Sequence, residues 1–349
     1  MNDKSLPSMK DLETEWPGVF VNNEVTMNYL IAKNVLVVPT QCKFCGAGMS
    51  VKRGHNFLYQ CTRRNCRRAV SIMHGTFFEG CKDISSVLYV CHLILSGSQN
   101  EVLKGTGGLS AKTCAKWRKH LQEIMMVDLE NLPEENMKLG GPNWDGPNAE
   151  HSIVEIDECK LGKRKYHVGH RVEGVWVVGL VERSRPGYVG RFVVVSVPDR
   201  KGPTLGNIIE KYVNEGACLH SDMWKGYQSE YMEYLGKVHR TVNHSKHFKD
   251  PDTGVHTNTI EGMWQAVRYR VPRQSRTTAR VDNFLWQFMW KRRYKDKLWN
   301  RLLLCFRLTH YGPLHGDAEQ VLIQPVQEEV EQQVEQEEYM WGEPLCLIS

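Results

Sequence analysis

Three stretches decide the fold: Ser152-Ile-Val-Glu-Ile-Asp157-Glu158, Ala217-Cys-Leu-His-Ser-Asp222 and His256-Thr-Asn-Thr-Ile-Glu261-Gly-Met-Trp264. The first two are short β-branched or apolar runs ending in acids, which suits buried strands. Between them, residues 166–172, 175–182 and 191–197 read as three further strands separated by Gly and Pro turns, and 205–213 reads as a helix. Strands in close succession suggest an antiparallel start, and a crossover helix permits the strand ending at Asp222 to lie parallel to the one carrying Asp157. The third stretch has apolar residues at 260, 263, 264, 267 and 271, so it is helical, with Glu261, Gln265 and Arg268 on the other face. The expected fold class is α/β, with a mixed sheet and flanking helices.

Three acids spaced 65 and 39 residues apart are what phosphodiester chemistry wants. Two Mg²⁺ or Mn²⁺ ions stabilise the attacking and leaving oxygens together, and hard cations prefer carboxylate oxygen. Asp157 is the expected bridging ligand, with Asp222 and Glu261 each completing one metal site. Taken singly, each acid has a plainer reading: a strand-end residue at 157, a helix cap at 222, and the partner of Asn258 in a capping box at 261. Their joint order favours the metal site. His239, His244, His247 and His256 form a rival cluster, but their irregular spacing suits phosphate contact better.

Toward the N-terminus, Cys42-Lys-Phe-Cys45 and Cys61-Thr-Arg-Arg-Asn-Cys66 make two short-spaced pairs. Four thiolates in this pattern close a tetrahedral structural Zn²⁺ site with no open position. The other seven of the eleven cysteines show no such spacing, and the six at 81, 91, 114, 159, 218 and 305 read as reduced core thiols. Arg63, Arg64, Arg67 and Arg68 decorate the second knuckle, where a phosphate backbone can be held. Farther on, residues 84–96 have helical spacing, a glycine-rich stretch follows, and Ser110 caps a helix to about 126. Lys112, Thr113, Lys116, Arg118 and Lys119 on its early turns make it a candidate helix-turn-helix, whereas the plainer reading is a helical hairpin with a basic face.

The formal net charge of +5 hides an asymmetry: residues 316–349 hold nine acids and no Lys or Arg, leaving about +14 on residues 1–315. A basic body points to a polyanionic partner, and Arg268, Arg273, Lys291, Arg292 and Arg293 would extend its footprint. The first eighteen residues carry no apolar stretch, and the longest apolar run, 87–95, is too short for a membrane span, so a soluble intracellular protein is expected. The organisation expected is a helical or irregular segment to 38, a zinc ribbon at 39–80, a helix-turn-helix region at 81–131, a linker at 132–150, a catalytic domain at 151–312 and an acidic tail at 313–349. Cys346-Leu-Ile-Ser fits a prenylation pattern, although no polybasic segment precedes it.

The Ile156-Asp-Glu158 and Lys163-Arg-Lys-Tyr stretches, Trp176 to Arg183, His220-Ser-Asp-Met-Trp-Lys-Gly-Tyr227 and His256 to Trp264 resemble the transposases of the Merlin superfamily and their bacterial insertion-sequence relatives. The resemblance spans about residues 40–300. It implies an RNase H-like fold, a DDE triad of Asp157, Asp222 and Glu261, and cut-and-paste transposition. Double-stranded DNA, as transposon inverted repeats and target, would be the partner of a homodimer or higher synaptic oligomer. The location would be the nucleus in a eukaryote and the cytoplasm otherwise. A domesticated DNA-binding descendant without cleavage activity is the alternative, and a structure-selective nuclease is a third reading that the zinc ribbon disfavours.

Overall fold

The computed structural model describes residues 18–55, 57–98, 102–103, 108–140, 153–162, 174–184, 190–227, 235, 238–243, 249–311 and 321–323. The expected strand at 166–172, most of the linker, His244, His247 and Cys346 lie outside these residues.

Helix α1 (Asn23–Ala32) opens the described chain, with Asn22 accepting from Val25 N at 2.9 Å. Strands β1 (Met49–Val51), β2 (Leu58–Cys61) and β3 (Ala69–Ser71) form an antiparallel sheet in sequence order within the zinc ribbon-like, cysteine-bearing segment. Helix α2 (Ile84–Leu95) is capped by Asp83, and α3 (Ala111–Glu130) by Ser110, whose hydroxyl accepts from Thr113 N as the sequence predicts. Helix α3 does not stop near 126; it continues to Glu130 because Asp128 and Leu129 are also buried, and one further turn, α4 (Glu134–Met137), follows it.

The central sheet has the order β6-β5-β4-β7-β8, where β4 is Ile153–Leu161, β5 Val175–Glu182, β6 Phe192–Val197, β7 Cys218–Asp222 and β8 Val238–Val242. Strands β4, β5 and β6 are antiparallel neighbours, whereas β7 runs parallel to β4 and β8 parallel to β7. The β6 to β7 connection carries α5 (Gly202–Tyr212), the crossover helix that parallel pairing requires. Strand β4 runs on past the acids that were expected to end it, so Asp157 sits mid-strand opposite Gly179. Helix α6 (Asn258–Arg270) lays Ile260, Met263, Trp264 and Val267 on the sheet.

The expected helical stretch at 281–304 is two helices, α7 (Val281–Arg293) and α8 (Leu298–Leu308), broken at residues 294–297. They join the N-terminal helices in one apolar core: Phe77 stacks on Phe306 at 4.4 Å between centroids, and Gln122 Nε2 of α3 donates to Gln287 Oε1 of α7 at 2.8 Å. Buried Asp128 accepts from Trp290 Nε1 at 2.7 Å and from Arg301 Nη2 at 2.8 Å, tying α3 to α7 and α8. Within the expected linker, Leu139 is buried and bridges Val213, and the Gly140 N–H is held by the Glu182 carboxylate. Inside the expected tail, residues 321–323 return as a strand paired with 309–311.

Candidate active site

Parallel registration aligns Glu155 with His220. Two residues on, the same register brings Asp157 and Asp222 onto adjacent strands and one sheet face. Asp157 is partly buried, and its two oxygens have separate duties: Oδ1 accepts from Glu158 N at 2.8 Å, and Oδ2 accepts from the Trp264 indole at 2.8 Å. Burial holds its carboxyl above the usual range, helped by the negative charges of Asp222 and Glu261, while the indole and the Glu158 amide oppose them. Asp222 Oδ1 accepts from Trp224 N at 2.9 Å, starting the 3₁₀ turn at Lys225–Tyr227. Glu261 is exposed on the first turn of α6. Asp157 therefore senses both other acids, although among the described residues the three do not close into a tight ligand set as the cysteines do.

The helix carrying Glu261 has no side-chain cap of its own, so the expected pairing of Glu261 with Asn258 in a capping box is not what starts it. Glu155, fully buried on β4, performs that task. Its Oε2 accepts from Thr259 N at 2.9 Å and Ile260 N at 3.0 Å, and its Oε1 from the Thr259 hydroxyl at 2.9 Å. Arg183 Nε pairs with Glu155 Oε1 at 2.7 Å, while its Nη2 reaches His256 O at 2.7 Å and His220 Nδ1 at 3.1 Å. Sequence reasoning passed over Glu155, Arg183 and Trp264. The available signal was an acid between Val154 and Ile156 in a strand covered on both faces, where a carboxylate must have partners.

Gly179 is the other residue missed. A Cβ there would lie 2.9 Å from both Ile260 Cδ1 and Trp264 Cη2, so only glycine lets the indole lie flat beside Asp157. Glu158, one residue beyond Asp157, is raised to about 7 by burial and by the adjacent acids, with the Arg200 guanidinium 4.0 Å away. Arg200 itself stacks on Trp224 at 3.6 Å and Trp176 at 4.7 Å. As for the histidines, His239 Nε2 meets Ser221 Oγ at 2.8 Å and His256 Nδ1 lies 3.5 Å from Glu155, so these two serve separate local contacts.

At the other end, the Sγ atoms of Cys42, Cys45, Cys61 and Cys66 all lie within 4.8 Å of one another, with 3.8 Å between Cys42 and Cys66 and 3.4 Å between Cys45 and Cys61. A tetrahedron of Zn–S bonds of ~2.3 Å has edges of ~3.8 Å, so the set fits one zinc ion. Gly46, at φ +68, turns the first knuckle. Arg63, Arg64, Arg67 and Arg68 are exposed around the second, and Arg68 lies 3.8 Å over the Phe44 ring.

The remaining basic residues divide. Lys112, Lys116 and Lys119 are exposed on α3, and Arg268 and Arg273 on the rim beyond Glu261. Thr113 spends its hydroxyl on Ser110, and Arg118 turns inward, donating to Ser98 O at 3.2 Å. Lys291, expected at the DNA, points instead to the end of α2: its Nζ donates to Ile94 O at 3.0 Å, a carbonyl that also accepts from Gly97 N. Arg292 is partly buried, with its guanidinium pKa lowered by desolvation, and Arg293 donates to Asn136 O at 2.9 Å. These three brace helices rather than forming an open cationic face.

Residues 150–292 match the family model of the ISXO2-like transposase domain, which meets the resemblance drawn from the motifs. Among solved structures, the chain is similar to the catalytic core domain of BIV integrase, at 15% identity and a TM-score of 0.27 over 54% of this chain and 98% of that one. Comparison with curated proteins gave no match. No helix among the described residues is long and apolar enough to cross a membrane.

Proposed function

We propose that this protein, whose residues 150–292 match the ISXO2-like transposase domain, cleaves and joins DNA at transposon ends, with Asp157, Asp222 and Glu261 as its metal ligands. One observation supports the reading: β4 and β7 pair in parallel with Glu155 beside His220, so that Asp157 and Asp222 each follow two residues on along neighbouring strands, and the charges of Asp222 and Glu261 both act on the Asp157 carboxyl. Carboxylates crowded on one partly buried face repel one another, and a divalent cation relieves this. Mg²⁺ or Mn²⁺ held there would stabilise both the attacking and the leaving oxygen of a phosphodiester exchange.

The chain's own residues prepare the site. Trp264 fixes the rotamer of Asp157, Glu155 holds the start of α6, and Arg268 and Arg273 offer charge to the phosphates beside the acids. Double-stranded DNA is gripped farther away by the knuckle arginines and by Lys112, Lys116 and Lys119, with α2 and α3 as the helix-turn-helix. Zn²⁺ on the four cysteines is structural. Two ends are synapsed by a homodimer or larger assembly, in the nucleus or, in a prokaryote, the cytoplasm.

The test is Mg²⁺-dependent cutting of cognate inverted-repeat DNA by wild type, Asp157→Ala, Asp222→Ala and Glu261→Ala. Wild type should cut, and each variant should lose activity by at least ~10³-fold while still binding the ends. Equal cutting by all four defeats the assignment. Binding without cutting by wild type favours a domesticated DNA-binding protein.

A further inference from the structure

We infer that the ion pair between buried Glu155 and partly buried Arg183 is a positioning element that sets Glu261 against Asp157, so that the affinity of the acidic site for a divalent cation depends on it. The inference rests on the three-acid reading above and adds to it the device that fixes the third acid. A helix beginning at Asn258 needs acceptors for its first N–H groups; the His256 ring takes that of Asn258 at 3.4 Å, and the cap residue Thr257 offers no side-chain acceptor to those that follow. The two amides immediately before Glu261, those of Thr259 and Ile260, both go to Glu155 Oε2 on another element. Glu155 lies two residues before Asp157, on the same face of β4 and roughly 6.6 Å along it. One strand thus presents a metal ligand and, one repeat away, the anchor of the helix that brings another.

Arg183 makes the anchor stiff. Its Nε binds the same carboxylate, and its Nη2 holds His256 O, just ahead of the helix, and His220 Nδ1 on β7, two residues before Asp222. The element bearing each of the three acids therefore meets at one ion pair, with the carboxylate fully buried and the guanidinium mostly so. Withdrawing such charges from water is costly, and an apolar pair of similar volume often serves stability equally well. An apolar pair would pack α6 against the sheet but would leave its first amides without acceptors and its position along β4 loose. Neither Glu155 nor Arg183 is a catalytic residue; both act through the helix.

The experiment uses full-length protein and Tb³⁺, an oxygen-seeking probe whose luminescence is sensitised by a nearby indole; Trp264 touches Asp157 directly. Glu155→Gln should bind Tb³⁺ roughly 10- to 100-fold more weakly than wild type, the usual effect of removing an outer support of a metal ligand. The Mg²⁺ concentration for half-maximal cleavage should rise in parallel, with binding of the DNA ends unchanged. Arg183→Lys keeps a cation beside Glu155 but gives up the paired Nη2 contacts, and should weaken Tb³⁺ binding by a smaller factor. Should Glu155→Gln fail to fold, Arg183→Lys decides alone. Tb³⁺ affinity within twofold of wild type in a folded Glu155→Gln, or in Arg183→Lys if that variant must decide, overturns the inference. Asp157→Ala separates this from failure of the active-site reading: if it keeps the wild-type signal, the acids are not the metal site.

Discussion

Replacing Gly179 with alanine tests how closely the sheet and α6 are fitted around Asp157. The new methyl would stand 2.9 Å from Ile260 Cδ1 and Trp264 Cη2 and 3.0 Å from Trp264 Cζ2, whereas relaxed carbon contacts lie at roughly 3.5–4.0 Å. Neither neighbour can swing aside, because Ile260 is 0% and Trp264 3% exposed and the indole is tied to Asp157. Overpacking of this kind costs about 1–3 kcal/mol, and replacing a strand glycine returns roughly 0.5–1 kcal/mol. The expected net loss therefore lies between about 0 and 2.5 kcal/mol, centred near 1 kcal/mol and read as a lower urea midpoint. If α6 tips away to make room, the Trp264 bond to a charged carboxylate goes too, worth about 1.5–3 kcal/mol, and cleavage should fall by roughly 10- to 100-fold. Trp264→Phe should share the cleavage defect without the clash. A Gly179→Ala protein as stable and as active as wild type would refute the close fit.

Removing metal from the cysteine site with a strong chelator, or Cys45→Ser, should release about one zinc ion per chain by metal analysis and abolish end binding while the central sheet stays folded. Asp128→Asn should cost about 3–5 kcal/mol in denaturant unfolding, because Arg301 is then left buried without its counter-charge; a loss under about 1 kcal/mol would dismiss this role. Lys291 has an ammonium pKa brought down to about 7 by burial, with Arg270 and Arg118 adding to the effect. Between about pH 7 and the ordinary 10.5 the unfolded chain holds a proton that the folded chain lacks, so this group makes stability rise with pH across that window. Lys291→Met should flatten the rise relative to wild type and leave DNA affinity within about twofold; parallel pH–stability curves for the two proteins would contradict the placement.

What the sequence revealed follows from how local each signal is. The cluster of four cysteines is read from spacing alone, since two residues between Cys42 and Cys45 and four between Cys61 and Cys66 suit a pair of knuckles that could hold one zinc ion. The valine-rich pattern of β5 and β6 announces strands covered on both faces, and the order of Asp157 and Asp222 follows from a crossover helix between them. Lys291 was misplaced because α7 buries residues on several sides, so no polar face told whether its ammonium met DNA or the end of a helix 197 positions away. Gly179 gave no sign of its role, and Glu155 announced a buried carboxylate without naming its partner: each matters through residues roughly 80 to 105 positions away, and a single sequence carries no trace of such pairings.

The shared core of α3, α7 and α8 means that the N-terminal helices and the sheet half are not separable units. With Gln122 bonded to Gln287 and Phe77 stacked on Phe306, exchanging the N-terminal part wholesale would strip the rest of the chain of some of its own interior. If the ribbon and α3 read DNA as proposed, changes of target preference fall to their solvent-facing side chains, and related chains should diverge there by point replacement, not by trading modules.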